Sequence, residues 1–215
     1  LAQELTSHGI TLAEVRMVPD NIAVIIDAVR ALSDAYDHVF TSGGIGPTHD
    51  DITADAIAEA FGVGLDLRDD ARELMQAHYD RAGMEFNAAR MRMARIPDGA
   101  TLIENPVSVA PGFTIENVHV MAGVPAVFEA MVASIVPTLA SGEQVLSQSL
   151  RVLRGEGDIA GPLGEVAKAH PEVSIGSYPF TRDGVFGSNI VVRSTDGAAV
   201  DAVITELARL FHVRR

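Results

Sequence analysis

Length, composition and charge exclude several classes of protein. The chain has 215 residues, of which 47% are hydrophobic and 19 are glycine, enough to bury one large core or two smaller ones. Its formal net charge of -13 argues against a nucleic acid or another polyanion as partner, because such binding depends on clustered lysine and arginine. The absence of cysteine excludes disulfides, thiolate zinc sites and cysteine nucleophiles.

The sequence carries no recognisable targeting or membrane signal. No apolar run approaches the roughly 20 residues of a membrane span, and there is no basic and then apolar signal peptide. The lack of cysteine suits a reducing compartment. We therefore expect a cytoplasmic protein with no membrane partner.

Hydrophobic periodicity predicts alternating helices and strands as far as residue 139. In chain order the predicted elements are a helix ending at His8, a strand over 12–18, a helix lined by Ile22, Ile25, Ile26, Val29 and Leu32, a strand ending at Phe40, helices over 54–61, 69–82 and 86–94, strands over 101–103, 113–115 and 118–121, and a helix over 126–139. A buried strand between amphipathic helices is typical of an α/β fold with a mostly parallel, doubly wound sheet.

The pattern changes after residues 140–143, which we interpret as a linker. The elements that follow are a strand over 145–153, a helix over 158–169, strands over 173–178 and 186–193, and a helix over 196–211. This order predicts a small α+β domain over 145–215, preceded by an α/β domain over 1–141. Since a sheet with a phosphate loop usually begins with a strand, we expect that a strand precedes Leu1.

The most informative segment runs from Thr41 to Thr53 and reads Thr-Ser-Gly-Gly-Ile-Gly-Pro-Thr-His-Asp-Asp-Ile-Thr. A glycine-rich turn between a strand and a helix offers backbone N–H groups to a phosphate or another anion. The turn contains no lysine or arginine, and Asp50 and Asp51 would repel a phosphate unless a divalent cation lay between them. The segment therefore predicts a metal-assisted phosphate site.

A purely structural interpretation of the same segment stays open. Thr48 and Asp51 have the spacing of a capping box, and the glycines could serve only a tight turn. The density of glycine, proline, histidine and carboxylate favours a ligand site over this alternative. The segment is neither a Walker A loop nor a Gly-x-Gly-x-x-Gly motif. For His49 two interpretations stay open: it binds the metal or the phosphate, or it has no functional role.

The segment Gly43–Thr53 resembles the signature of the MoaB/Mog-like molybdopterin-binding domain family. The variant is that of competence/damage-inducible protein A (CinA) and of the N-terminus of eukaryotic FAD synthases. Asn105-Pro106 with residues 110–113 is similar to the second loop of that family, and residues 123–125 are similar to the third. Residues 155–160 and 175–179 are similar to the small second domain of the CinA group.

The resemblance implies a site and a chemistry. Asp51 and Asp50 would be the catalytic and metal-binding residues, with Mg, Mn or Co as the divalent ion and molybdopterin as a further candidate cofactor. CinA relatives are associated with hydrolysis of dinucleotide pyrophosphates such as ADP-ribose or FAD. The alternative is a molybdopterin- or nucleotide-binding protein linked to molybdenum-cofactor biosynthesis without hydrolysis. The implied ligand-binding residues are Gly43, Gly44, Gly46, Thr48, Asn105, Gly112, Gly123 and Pro125.

The resemblance also sets the expected partners and their limits. We expect a small phosphate-containing ligand, and a homodimer or homotrimer, since domains of this family commonly assemble so. The family's Gly-Asp-Glu segment after its first strand is not found, and Ser108 stands where the family usually has glycine. Neither the amidase domain of CinA nor the adenylyltransferase domain of FAD synthase is found, so we expect a stand-alone CinA-like protein that performs neither reaction.

Several other residues have two interpretations. Arg90, Arg92 and Arg95 form the one basic cluster and either reach a second phosphate or lie on a solvated helix face, which we favour. Asn105 either orients a ligand oxygen, which family position favours, or caps a turn. Asp158 is predicted to be a helix N-cap and not a catalytic acid.

Overall fold

A computed structural model describes residues 1–139, 142–143, 145–182 and 184–213. The chain divides into two compact units. The first unit comprises Leu1 and Leu12–Ala140, and the second comprises Ala2–Thr11 and Ser141–Arg215. Each unit has its own hydrophobic core. Among the described residues, no helix is both long enough and apolar enough to span a bilayer.

The helices follow the predicted periodicity closely. They are α1 (Ala2–Ser7), α2 (Ile22–Ala35), α3 (Thr53–Phe61), α4 (Asp69–Arg81), α5 (Ala88–Met91), α6 (Pro125–Ile135), α7 (Glu156–Ala169) and α8 (Gly197–Leu210). Short 3-10 turns extend α5 over Arg92–Ala94 and α6 over Val136–Thr138. The strands are β1 (Val39–Ser42), β2 (Leu65–Leu67), β3 (Arg95–Pro97), β4 (Thr101–Ile103), β5 (Gly112–Ile115), β6 (Val118–Met121), β7 (Leu146–Val152), β8 (Ser174–Arg182) and β9 (Val185–Ser194).

The first unit is built on a four-stranded sheet in the order β1-β6-β5-β4. β1 and β6 run parallel, with Val39 opposite Val118 and Ser42 opposite Met121. The pairs β6–β5 and β5–β4 are antiparallel; a tight turn joins β5 to β6, and the longer loop over 104–111 joins β4 to β5. The α/β class is confirmed, and the parallel pairing lies at β1 and β6. The carboxyl ends of those two strands, and hence the loops after them, lie side by side.

The second unit confirms the predicted β-α-β-β-α order. Its sheet has the order β7-β9-β8 with antiparallel pairs, as in a small α+β domain. Buried side chains of the sheet and of both helices form one core, among them Leu150, Ile159, Ile190 and Leu207. Asp196 caps α8 by accepting hydrogen bonds from the backbone N–H groups of Ala198 and Ala199.

Two expectations about the elements are wrong, and one pair of strands was not foreseen. Residues 12–18 form no strand. Their backbone pairs with no described strand, and their side chains are exposed, Met17 by 97%. The antiparallel pair β2–β3 was not predicted, since each strand has only three residues. The N-cap of α7 is Gly155, and Asp158 lies in the first turn, where its carboxylate still faces the positive helix end.

The placement of the N-terminal residues also differs from the expected division. In the structure, residues 2–11 belong to the second unit, whereas the sequence pattern predicts that they belong to the α/β domain over 1–141. The reason is a close backbone approach: a Cβ atom on Gly142 would lie 2.7 Å from the carbonyl oxygen of Gly9. Of the predicted linker over 140–143, residues 140 and 141 lie outside the described residues.

His119 of β6 is a buried titratable group in the first unit. Its side chain is only 3% exposed and is hydrogen-bonded to Thr114 Oγ1 at 2.9 Å and to His38 Nδ1 at 3.2 Å. Burial, with a smaller effect of His38, lowers the pKa of His119 from 6.5 to about 4. The folded protein therefore keeps this imidazole neutral, whereas the unfolded chain protonates it near pH 6.5.

We expect the stability that this difference contributes to be present above pH 6.5 and lost progressively as the pH falls toward 4. The measurement is the melting temperature between pH 7 and pH 5, a window above most carboxylate titrations. His119→Gln should flatten the decrease. The exposed His49→Gln should leave it as in the wild type. An equally steep decrease in His119→Gln would contradict the assignment.

Candidate functional site

Backbone contacts hold the first and third predicted loops together at the carboxyl ends of β1 and β6. The N–H of Gly43 donates to the carbonyl oxygen of Met121 at 2.9 Å. A Cβ atom on Gly123 would lie 3.1 Å from the Cα of Gly43, so a larger residue would push the two loops apart by a few tenths of an ångström. Pro125 begins α6 directly after this contact, a position that suits proline. The structure thus brings Gly43, Gly123 and Pro125 together.

Gly44 fixes the entry of the loop into α3. Its φ angle is +71°, in the left-handed region that favours glycine, and a Cβ atom there would overlap Thr53 Oγ1. Thr53 is buried, and its N–H donates to the carbonyl oxygen of Gly44 at 2.9 Å. Sequence reasoning named Gly44 but missed Thr53 as its partner, because only the fold places the two together.

The N-terminus of α3 has free hydrogen-bond donors. Ile52 occupies the N-cap position and provides no side-chain cap. Among the described residues, the backbone N–H groups of Ala54 and Asp55, and of Gly44 and Ile45 in the loop, donate no hydrogen bond. These donors, with the positive end of the helix dipole, are what an anion needs.

Asp51 closes the loop with its carboxylate. Its Oδ2 accepts hydrogen bonds from the N–H of Thr48 at 2.8 Å and from Thr48 Oγ1 at 2.5 Å. Burial raises the pKa of Asp51, but these hydrogen bonds and one from the Gly46 amide outweigh it and hold the pKa below its usual value. Asp51 is therefore ionised at neutral pH. A Cβ atom on Gly46 would lie 2.6 Å from Oδ2, which explains that glycine.

The capping-box alternative is half right. The Thr48 N–H donates to the Asp51 carboxylate as in such a box, but the Thr48 hydroxyl also donates to that carboxylate, the Asp51 N–H donates to the Thr48 backbone oxygen, and α3 begins only at Thr53. The box therefore closes the loop and leaves the helix N-terminus open. These contacts are compatible with both interpretations of the segment, as a tight turn and as a ligand site.

Asp50 is exposed beside Asp51. Hydrogen bonds from the Thr48 side chain and from its own backbone lower its pKa, and its Oδ1 lies 3.9 Å from His49 Nδ1. Within the described ranges, no group of three or more His, Asp or Glu residues could hold a metal ion. The two ionised carboxylates therefore fit part of a metal's coordination, and ligand oxygens and water would have to supply the rest.

Arg92 and Arg95 lie against this loop and not on a solvated helix face, so that favoured interpretation is wrong for both. Arg95 forms an ion pair with Asp55, with Nη1 at 3.3 Å from Oδ2. Arg92 Nη2 donates to the backbone oxygen of Asp51 at 3.1 Å and lies 3.7 Å from Asp55 Oδ2. Arg92 Nε is buried and has no partner among the described residues. Arg90 instead lies over the Tyr79 ring, 4.7 Å from its centroid.

A small cavity is lined by both the loop and these arginines. Its volume of about 10 Å³ holds roughly one water molecule, so a ligand would lie on the loop and not inside this cavity. It is lined by Ile45, Gly46, Asp51, Ala54, Asp55, Arg92, Met93, Arg95, Ile96, Pro111 and Phe113.

Two predicted ligand-binding residues have structural roles. Asn105 is buried, and its side chain makes all its hydrogen bonds within its own turn. It donates to Ser108 Oγ and to the Ala110 carbonyl, and it accepts from two backbone N–H groups. The capping interpretation of Asn105 therefore replaces the favoured ligand contact. Gly112 is buried in β5, and a Cβ atom there would overlap the backbone oxygen of Val120. Strand packing accounts for this glycine.

Comparison with known proteins agrees with this geometry. Residues 1–141 match the family model described as "Probable molybdopterin binding domain". The chain belongs to this molybdopterin-binding domain family. Residues 144–214 match a second model, "FAD synthase, middle domain". The two matches together give the CinA-like arrangement that the motifs indicated.

Relatives and a solved structure of this family share most of the chain. A protein of Archaeoglobus fulgidus is 34% identical over 83% of this chain and 76% of its own length. A protein of Pyrobaculum calidifontis is 32% identical over 98% of this chain and 86% of its own length. The crystal structure of CinA from Thermoplasma acidophilum, described as a protein of unknown function, superimposes with a TM-score of 0.57 at 32% identity, over 64% of this chain and 82% of that one.

The loop geometry leads to a prediction about Gly44→Ala with a matched control. Gly44 and Gly62 have nearly the same φ, +71° and +66°, but a Cβ atom on Gly62 meets no atom within 4 Å. Alanine at Gly62 should cost about 1 kcal/mol of unfolding free energy, from the backbone conformation alone. Alanine at Gly44 should cost roughly 1–3 kcal/mol more, because Thr53 must also move.

Urea unfolding of the two variants measures this difference. Titration with ADP should in addition show weaker binding at the loop in Gly44→Ala, with Gly62→Ala unchanged. Equal stabilities of the two variants would contradict the proposed contact between Gly44 and Thr53.

Proposed function

We propose that the first unit binds the phosphate of a nucleotide or of molybdopterin at the loop over Gly43–Thr53 and hydrolyses a dinucleotide pyrophosphate of the ADP-ribose or FAD type with a divalent metal ion. The observation that carries the binding step is the uncapped start of α3, whose free N–H groups lie beside those of Gly44 and Ile45. Family membership supports a nucleotide or pterin as the ligand class.

Backbone donors suit a phosphate in this acidic chain. The N–H groups of Gly44, Ile45, Ala54 and Asp55 carry partial positive charge and cannot be neutralised by pH or ion pairing. The nearest carboxylate on α3 is already paired, because Asp55 faces Arg95 and Arg92. An anion at the helix start therefore meets less repulsion than the net charge of the chain suggests.

Asp50 and Asp51 account for the metal. Both carboxylates have lowered pKa values and stay ionised, which suits metal ligands better than general bases, because a base needs a pKa near the working pH. Mg, Mn or Co bound there would polarise a phosphoryl oxygen and lower the pKa of the attacking water. Asp51 is held in place by Thr48, and exposed Asp50 is open to solvent and ligand.

The hydrolytic reaction breaks one phosphoanhydride bond. Water adds to one phosphorus atom, the bridging oxygen leaves with the other phosphate, and the proton of the water passes to solvent. The loop N–H groups hold a non-bridging oxygen, on which negative charge develops during the attack. We expect the guanidinium of Arg92, which donates to the backbone oxygen of Asp51, to neutralise part of that charge.

A second candidate is a molybdopterin- or nucleotide-binding protein without turnover. It is favoured because, among the described residues, Asp50 and Asp51 belong to no group of three or more His, Asp or Glu side chains that could hold a metal ion. Both candidates use the same phosphate contacts and differ only in the metal. A homodimer or homotrimer stays a prediction for either, which light scattering would test.

The deciding experiment compares Asp51→Asn with Asp37→Asn. Asparagine at position 51 keeps an oxygen that accepts from Thr48 but removes the charge, whereas Asp37 is exposed at the other end of β1. Each protein is incubated with ADP-ribose or FAD and with Mg²⁺, Mn²⁺, Co²⁺ or no metal. We expect metal-dependent cleavage, with kcat/KM lowered roughly 100-fold or more in Asp51→Asn and unchanged in Asp37→Asn.

Two outcomes would overturn parts of this proposal. Absence of cleavage with every metal, together with ADP or molybdopterin binding, would favour the binding protein over the hydrolase. Cleavage that persists unchanged in Asp51→Asn would remove the metal role of the loop carboxylates.

A further inference from the structure

A much larger cavity lies within the second unit, far along the chain from the glycine loop. Its volume is about 750 Å³, inside the range of roughly 300–1,000 Å³ that small-molecule sites occupy. It forms near the ends of β7, β8 and α8 and the start of β9. The described residues that line it are Arg151, Val152, Leu153, Arg154, Arg182, Val185, Phe211, His212 and Val213.

The charge of this cavity is opposite to that of the chain. Three arginines and a histidine line it, and no carboxylate is among its described lining residues, although the chain has a net charge of -13. Within the described part of the chain, the guanidinium of Arg154 makes no hydrogen bond or ion pair. Unneutralised arginine at a concave surface favours an anionic ligand.

Arg151 is held in place by an aromatic ring. Its guanidinium carbon lies 4.1 Å from the centroid of Phe180. Phe180 in turn lies against Gly187 on the neighbouring strand, where a Cβ atom would come within 2.8 Å of the ring. This stacking orders the Arg151 side chain and leaves its N–H donors for a ligand.

The same cavity exposes apolar side chains. Leu153 is 65% exposed and Val185 is 46% exposed, and buried Phe211 and half-buried Val213 complete the apolar wall. Exposed apolar groups beside Arg151 and Arg154 suit a ligand with an anionic end and an apolar body.

His212 adds a strained backbone to the cavity wall. It follows α8 with a φ of +55°, and the N–H of Val213 donates to the Ala208 carbonyl, as in a Schellman motif. Glycine is the usual residue at this left-handed position, and histidine there costs free energy. The backbone conformation that holds the imidazole at the cavity wall therefore lowers the free energy of unfolding.

We propose that this cavity is a second binding site, for a small organic phosphate with an apolar or aromatic body, such as a nucleoside diphosphate. Arg151 and Arg154 bind the phosphates, His212 donates a further hydrogen bond, and Leu153, Val185 and Phe211 contact the body. A polynucleotide fits less well, because the strongly acidic chain would repel its extended backbone. The site is independent of catalysis at the glycine loop.

NMR of the full ¹⁵N-labelled chain can separate the two sites. Titration with ADP should shift the amide signals of residues 151–154 and 211–213, apart from any shifts at residues 43–55. Inorganic pyrophosphate and adenosine, each carrying half of the ligand, should bind at least 10-fold more weakly at residues 151–154 and 211–213. ADP shifts confined to the glycine loop would overturn the second site without affecting the proposed function.

Variants test the residues that carry the proposal. Arg154→Ala should weaken ADP binding at this cavity about 10-fold, while Arg193→Ala, which removes an arginine outside the cavity lining, should leave it unchanged. His212→Gly should weaken binding and yet leave the melting temperature no lower than that of the wild type, since glycine suits a φ of +55°.

Three results would contradict the assignment. Pyrophosphate that binds as tightly as ADP would remove the apolar part of the recognition. A single-stranded oligonucleotide that binds more tightly than ADP would replace the small ligand with nucleic acid. No shift at residues 151–154 or 211–213 at millimolar ADP would exclude the site.

Discussion

The parallel pairing of β1 with β6 is the constraint on which the candidate site depends. It places the loops after Ser42 and Met121 side by side, and Gly43 and Gly123 then allow their backbones to touch. The turn at Gly44 directs the chain into α3, so that the helix N-terminus lies at the same edge of the sheet. The loop over Gly43–Thr53 contains no lysine or arginine. The geometry of the main chain creates the donors, and the glycines keep them accessible.

Electrostatics then decides what these donors can hold. Asp50 and Asp51 bring two negative charges to the loop, and Asp55 brings a third, which Arg95 and Arg92 neutralise. The lowered pKa values of Asp50 and Asp51 show that their charge persists at neutral pH. A bare phosphate would meet this charge unfavourably, whereas a phosphate with a divalent cation would not. The two carboxylates therefore disfavour a phosphate alone at the loop and favour a phosphate that carries a divalent cation.

Much of the fold could be predicted from the sequence, because amphipathic periodicity identified α2, α3, α4 and α8 almost to the residue. What failed depended on tertiary contacts. Residues 12–18 alternate like a strand but have no described partner, and β2 and β3 are too short to show a period. At the site, the motif located Asp51 and the glycines, since they are close in sequence. Arg92 and Arg95 contact Asp51 and Asp55 from about 40 residues further along the chain, which the motif alone could not reveal. Asn105 and Gly112 were predicted to bind the ligand, although local hydrogen bonds and strand packing explain them.

The two proposed sites would bind an anion in an acidic protein by two different physical means. In the first unit, fixed backbone dipoles act at short range, and any cation must come with the ligand. In the second unit, Arg151 and Arg154 provide formal charge, and stacking on Phe180 limits the side-chain entropy lost on binding. Formal charges attract over a longer range and are screened by salt, whereas N–H groups at a helix start act only on contact. Salt should therefore weaken binding at the second unit more than at the loop, unless a metal ion mediates the contact there.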